Sequence, residues 1–204
     1  MRKNKEVASG IRTWWLKNIL FLGLAGALLF LTSGNIDWGM AWSYLAAMLL
    51  VVTANAVFTD PTLLAERSEL QEGTKKWDIA LAGFVAITGP LSIWALAGLD
   101  IRFGWSQISV PVLQIVALVI FVLGLLVGTW SMAYNKFFSS TVRIQNDRQH
   151  QVVAGGPYRY VRHPGYAGGI IAMLATPLAL GSWVGQVKSR NDQWQFKNQM
   201  GWLD

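Results

Sequence analysis

Five long apolar runs, roughly 14–31, 38–58, 79–99, 110–134 and 166–184, take up most of this 204-residue chain. A helix that crosses a bilayer needs about 20 mostly apolar residues, so each run is a candidate span. Only 14% of the residues are charged, against about 25% in an average soluble domain. That is too few to cover a water-facing surface. The expected fold is therefore an all-α integral membrane protein, a bundle of about five transmembrane helices spanning residues 1–184, followed by an atypical polar tail over 185–204. The first run follows Arg2, Lys3 and Lys5, as a signal peptide would. No small-residue cleavage site succeeds it and four more spans do, so it is expected to stay as the first helix.

Eight tryptophans (Trp14, Trp15, Trp38, Trp42, Trp77, Trp94, Trp130 and Trp183) fall near the run ends. An indole at the bilayer interface buries its rings and keeps its N–H wet, so these are expected as interfacial anchors. Pro90, Pro111 and Pro177 lie within or at the start of spans, where membrane bundles tolerate proline. With the N-terminus inside, 13 of the 17 lysines and arginines lie on the cytoplasmic side. This positive-inside bias sets the orientation, as expected for a bacterial inner-membrane protein. The whole basic excess of 6 then lies on that face. No period of 20–50 residues recurs, which excludes a repeat array.

Chemistry has few places to sit. The outer loops around 33–37 and 100–108 look plain. The inner loop 59–78, with Glu66, Arg67, Glu69, Glu72, Lys75 and Lys76, reads as a solvated helical turn. The inner segment 135–166 holds both histidines, five basic residues and the turn signal Gly155-Gly156-Pro157. Its last part is Gly-Pro-Tyr-Arg-Tyr-Val-Arg-His-Pro-Gly-Tyr, residues 156–166, and it leads into the fifth run. Pro164 biases His163 away from the helical region and starts a helix whose first N–H groups are free to meet an anion. Arg159, Arg162 and His163 surround that end, while Gly165, Gly168 and Gly169 allow a close approach. The competing reading is that these arginines and tyrosines anchor lipid headgroups.

Other chemistries are excluded. The chain has no cysteine, which removes disulfides, thiolate metal sites and a cysteine nucleophile. Two histidines without an acidic cluster or HExxH spacing make no metal site. Asp147 is the only acid in the segment, so paired-carboxylate catalysis is not expected. Neither a P-loop nor a GxGxxG turn is present. The basic residues are scattered over membrane loops, so no nucleic-acid partner is expected.

The pattern GPYxxVRHPxYxG opening a transmembrane helix, preceded by VxxQxDRxHxVV, resembles the isoprenylcysteine carboxyl methyltransferase family. That family belongs to a membrane superfamily with the phospholipid N-methyltransferases. The inner-loop stretch Leu63–Arg67, with Lys75-Lys76-Trp77-Asp78, adds to the resemblance, which covers roughly residues 38–184. A related pattern occurs in membrane sterol reductases, which use NADPH. The resemblance implies a multi-pass methyltransferase that binds S-adenosyl-L-methionine at the cytosolic membrane face. Its acceptor is lipophilic, such as the carboxylate of an isoprenylcysteine. Carried over residue by residue, Gln145, His150, Gln151, Val152, Val153, Tyr158, His163, Pro164, Gly165 and Tyr166 line the cofactor pocket. The methionine carboxylate suits the histidine, the tyrosine hydroxyl and the helix N-terminus. The adenine suits Val152, Val153 and ring surfaces.

The resemblance breaks after Thr176–Trp183. Family members continue with more apolar residues and a cytosolic helix. That helix supplies an arginine for the acceptor and a glutamate for the cofactor. Residues 185–204 instead hold six Gln or Asn and no glutamate. The expectation is that this tail reflects a frameshift or truncation, and that the chain as it stands is weakly active or inactive.

Overall fold

A computed structural model describes residues 2–67, 76–106, 110–135 and 153–182. Six α-helices follow in order: α1 (Arg2–Ser33), α2 (Gly39–Phe58), α3 (Pro61–Arg67), α4 (Lys76–Phe103), α5 (Pro111–Tyr134) and α6 (Pro164–Ala179). A 3-10 turn, Gly156–Arg159, precedes α6. Among the described residues there is no strand, as expected for an all-α chain.

Among the described residues, three helical segments are long and apolar enough to cross a membrane: Lys5–Ser33, Gly39–Phe58 and Pro111–Tyr134. The third expected span is one continuous helix, α4, of 28 residues with Pro90 inside it. The fifth is shorter than expected. The apolar run covers 166–184, but α6 has 16 residues, about 24 Å at 1.5 Å per residue, against a hydrocarbon core of about 30 Å. Gly181 explains the early stop. Its φ is 76°, a left-handed conformation that closes a helix. The Ser182 N–H donates to the Pro177 carbonyl at 2.9 Å and the Gly181 N–H to the Leu178 carbonyl at 3.0 Å. Both carbonyls would otherwise be orphaned at the helix end.

One core joins the five long helices. It holds Ala25 and Leu29 of α1, Ala41 and Tyr44 of α2, Trp94 and Ala97 of α4, Phe121 of α5, and Ala172 and Ala175 of α6. Outside it, Leu20, Leu50, Val112, Ile115 and Leu174 are exposed, as lipid-facing side chains should be. In a bilayer the hydrocarbon offers no hydrophobic drive between helices, so close packing and interhelical hydrogen bonds must hold the bundle. Both are present. A Cβ on Gly124 would lie 2.7 Å from the Gly168 carbonyl oxygen, so α5 and α6 meet backbone to backbone. Gly169, by contrast, faces open space. At the centre, Trp94 donates its indole N–H to the Tyr44 hydroxyl at 3.1 Å. That hydroxyl also meets the Thr176 hydroxyl at 3.4 Å.

Three sequence expectations are corrected here. Trp94 and Trp38 are buried core residues and not interfacial anchors, because the hydrogen bond to Tyr44 satisfies the Trp94 N–H inside the bundle. The loop after α2 is not simply solvated. Leu63, Leu64 and Ala65 are buried, and a Cβ on Gly10 would come within 2.8 Å of the Ala65 Cα, so α3 packs against the start of α1. The second outer loop is not plain either. Asp100 has no exposed surface. It accepts the Ser106 N–H and hydroxyl, each at 2.7 Å, and the Ser182 hydroxyl at 2.5 Å. One carboxyl thus ties the end of α4 to the end of α6.

Candidate functional site

The stretch that carries the sequence pattern folds as a compact turn between α5 and α6. Gly156 has φ 57°, and the residue after it, Pro157, is buried. The Tyr158 N–H donates to the Gly155 carbonyl at 3.2 Å, and the Tyr160 N–H to the Pro157 carbonyl at 3.2 Å. Tyr158 is half-buried. Its hydroxyl donates to the Ser131 carbonyl at 3.2 Å and accepts from the Asn135 amide at 3.2 Å. Burial pushes the Tyr158 hydroxyl above its ordinary pKa, and the Asn135 hydrogen bond opposes that shift.

Pro164 then starts α6 at its first position with its ring fully buried. Proline has no N–H to lose there. His163 precedes it as the N-cap, with φ −129°, and its side chain does not cap the N–H groups that follow. His163, Arg159 and Arg162 are exposed. Tyr166 is 71% exposed, and its ring lies 5.7 Å from that of His163 at a 33° tilt. The result is a shallow basic platform, two rings wide, beside uncapped backbone donors.

Of the ten residues expected at the cofactor pocket, His163, Pro164, Gly165 and Tyr166 come together at the start of α6. Val153 is half-buried at the entry to the turn. Tyr158 faces α5. Gln145, His150, Gln151 and Val152 lie outside the described residues, as does the tail 185–204. Sequence reasoning missed Ser131, Tyr134 and Asn135, the polar end of the fourth apolar run. The signal was available in the switch from Leu125, Leu126 and Val127 to polar residues at that end. It also missed Asn55 and Thr59, whose buried side-chain oxygens have no hydrogen-bond partner among the described residues. They sit at the C-terminal end of α2, which by the up-and-down order lies on the same side as the C-terminal end of α5.

At the other end of α6, Ile93, Leu96 and Ala97 of α4 face Leu174, Pro177 and Leu178 across an apolar cleft of about 320 Å³. Leu174 is ten residues beyond Pro164, so the cleft begins about 15 Å along the helix from the basic platform.

Residues 112–189 match the phospholipid methyltransferase family. This stretch includes α5, the turn and α6, which together build the site. Over that stretch, less than half of its length, the chain is similar to the membrane methyltransferases. It is also similar to a protein-S-isoprenylcysteine O-methyltransferase of Schizosaccharomyces pombe, 37% identical over 62 residues. Those residues are 30% of this chain and 26% of the relative, so the match spans about a quarter of that relative's length. No solved structure matches the chain.

Proposed function

We propose that this chain is a membrane methyltransferase that binds S-adenosyl-L-methionine at the start of α6 and methylates a lipophilic acceptor at the cytoplasmic face of the membrane. The isoprenylcysteine named by the relative, methylated at its carboxylate, is the acceptor class we favour. One observation carries the reading. The exposed His163 and Tyr166 and the uncapped N-terminus of α6 form a single platform inside the stretch that matches the family.

The residues suit the cofactor. Uncapped helix N–H groups and a neighbouring histidine favour a carboxylate, and the Tyr166 ring gives a planar base a stacking surface. Bound there, S-adenosylmethionine supplies an electrophilic methyl group: an acceptor lone pair bonds to its carbon as the carbon–sulfur bond breaks, releasing S-adenosylhomocysteine. A carboxylate nucleophile needs no proton removed. The chain's own task is then to hold the reacting groups in line and keep water out. The apolar cleft between α4 and α6 offers a lipid-tailed acceptor a resting place along the same helix.

Isothermal titration of the detergent-purified chain tests the reading. Saturable binding of S-adenosylmethionine is expected, weakened at least tenfold, about 1.4 kcal/mol, by His163→Ala. NADPH should give no binding heat. A dissociation constant weaker than about 1 mM, or an affinity untouched by His163→Ala, would overturn it.

A further inference from the structure

The end of α5 holds the turn in two ways. The ring of Tyr134 lies against the two glycines ahead of Pro157. A Cβ on Gly156 would come within 2.7 Å of that ring, and one on Gly155 would collide with the Tyr134 hydroxyl. Five residues before His163, the Tyr158 hydroxyl bridges the Ser131 carbonyl and the Asn135 amide. Ser131 is fully buried, and its carbonyl also receives the Asn135 N–H at 3.1 Å. On the far side of His163, Pro164 is buried and Gly168 abuts Gly124 of the same helix α5. The exposed platform is therefore a short bridge clamped at both ends to α5.

The clamp limits what Tyr158 can do. A tyrosine hydroxyl has one proton to donate, and here that proton points to the Ser131 carbonyl. A carboxylate only accepts hydrogen bonds, so this hydroxyl cannot serve a bound carboxylate while the bridge is made.

We propose that Tyr158, Asn135 and Tyr134 form a positioning latch. It sets the affinity for S-adenosylmethionine by fixing the turn that carries His163 and Tyr166, and not by contact between the Tyr158 hydroxyl and the cofactor. This inference rests on the cofactor reading given above. It assigns roles to Asn135 and Tyr134 that neither the motif nor its spacing indicates. A latch that works as one unit loses its effect when either side is removed, so the losses must not add.

The test is a double-mutant cycle on the full chain, read by titration with S-adenosylmethionine. Tyr158→Phe and Asn135→Ala should each weaken binding about five- to tenfold. The double variant should be no weaker than either single one. Tyr134→Ala should weaken binding similarly, and Tyr134→Phe, which keeps the ring, should restore it. Thermal unfolding midpoints identify any variant that has merely failed to fold. Amide exchange at Tyr158 and Tyr160 should speed up in Asn135→Ala, an effect that needs no cofactor. If Tyr158→Phe weakens binding while Asn135→Ala does not, the hydroxyl is a direct ligand and the latch is wrong. Losses that multiply toward about a hundredfold would also overturn it. Wild-type protein that binds while every variant binds equally well removes the latch alone. Wild-type protein that does not bind removes the cofactor reading and the latch with it.

Discussion

At the scale of single residues, Asp100 and Ser182 stand 82 positions apart and share a hydrogen bond in the core. In sequence, Asp100 looks like the first residue of a polar loop, because it ends an apolar run. Its burial depends on Ser182 and Ser106 arriving from elsewhere, and no local pattern announces such a meeting. Trp94 looks like an interfacial anchor in sequence for the same reason, since its partner Tyr44 lies on another helix. Asp100→Ala removes the acceptor for three donors, the buried Ser182 hydroxyl among them, which should cost about 2–3 kcal/mol. Thermal unfolding in detergent measures this, and Asp100→Asn should fall between wild type and alanine. Cofactor affinity should hardly change, because the aspartate sits at the opposite end of α6 from His163. The residues that local chemistry does specify were legible. Pro164 marks the start of α6 because it has no N–H to give and restricts the residue before it.

Among the elements, the pairing of α5 with α6 matters most, since these two helices position everything in the site. The glycines in and just after α6 look alike in sequence. The structure separates them by what they face: Gly168 meets the α5 backbone at Gly124, Gly169 faces open space, and Gly181 stops the helix. Helical periodicity cannot make that distinction without knowing where the neighbour lies. Gly168→Ala should therefore force α5 and α6 apart at a cost of about 1–3 kcal/mol. Gly169→Ala should be neutral or slightly stabilising, as alanine is the better helix former. Comparing the unfolding midpoints of the two variants checks this, and equal losses would contradict the assigned contact. The long apolar spans themselves were readable because a bilayer demands length and apolarity from each helix separately. The shortness of α6 was not, because Gly181 looked like one more small residue in an apolar run.

For the molecule as a whole, the bundle sets a basic, uncapped helix start at one end of α6 and an apolar cleft toward the other. That polarity suits the proposed meeting of a polar cofactor with a lipid-borne acceptor, and from the positive-inside charge bias we propose that the basic end faces the cytoplasm. Six of the ten residues expected at the pocket, from Val153 to Tyr166, fall within the described fold, and the exposed His163 and Tyr166 cluster at one point. The central claim is that S-adenosylmethionine sits at that point. Ultraviolet photolabelling with methyl-tritiated S-adenosylmethionine, followed by peptide mapping, tests it most directly. The account predicts label within residues 145–166, displaced by excess S-adenosylhomocysteine and lost in His163→Ala. Label that maps to another part of the chain, or that excess S-adenosylhomocysteine does not displace, would contradict it.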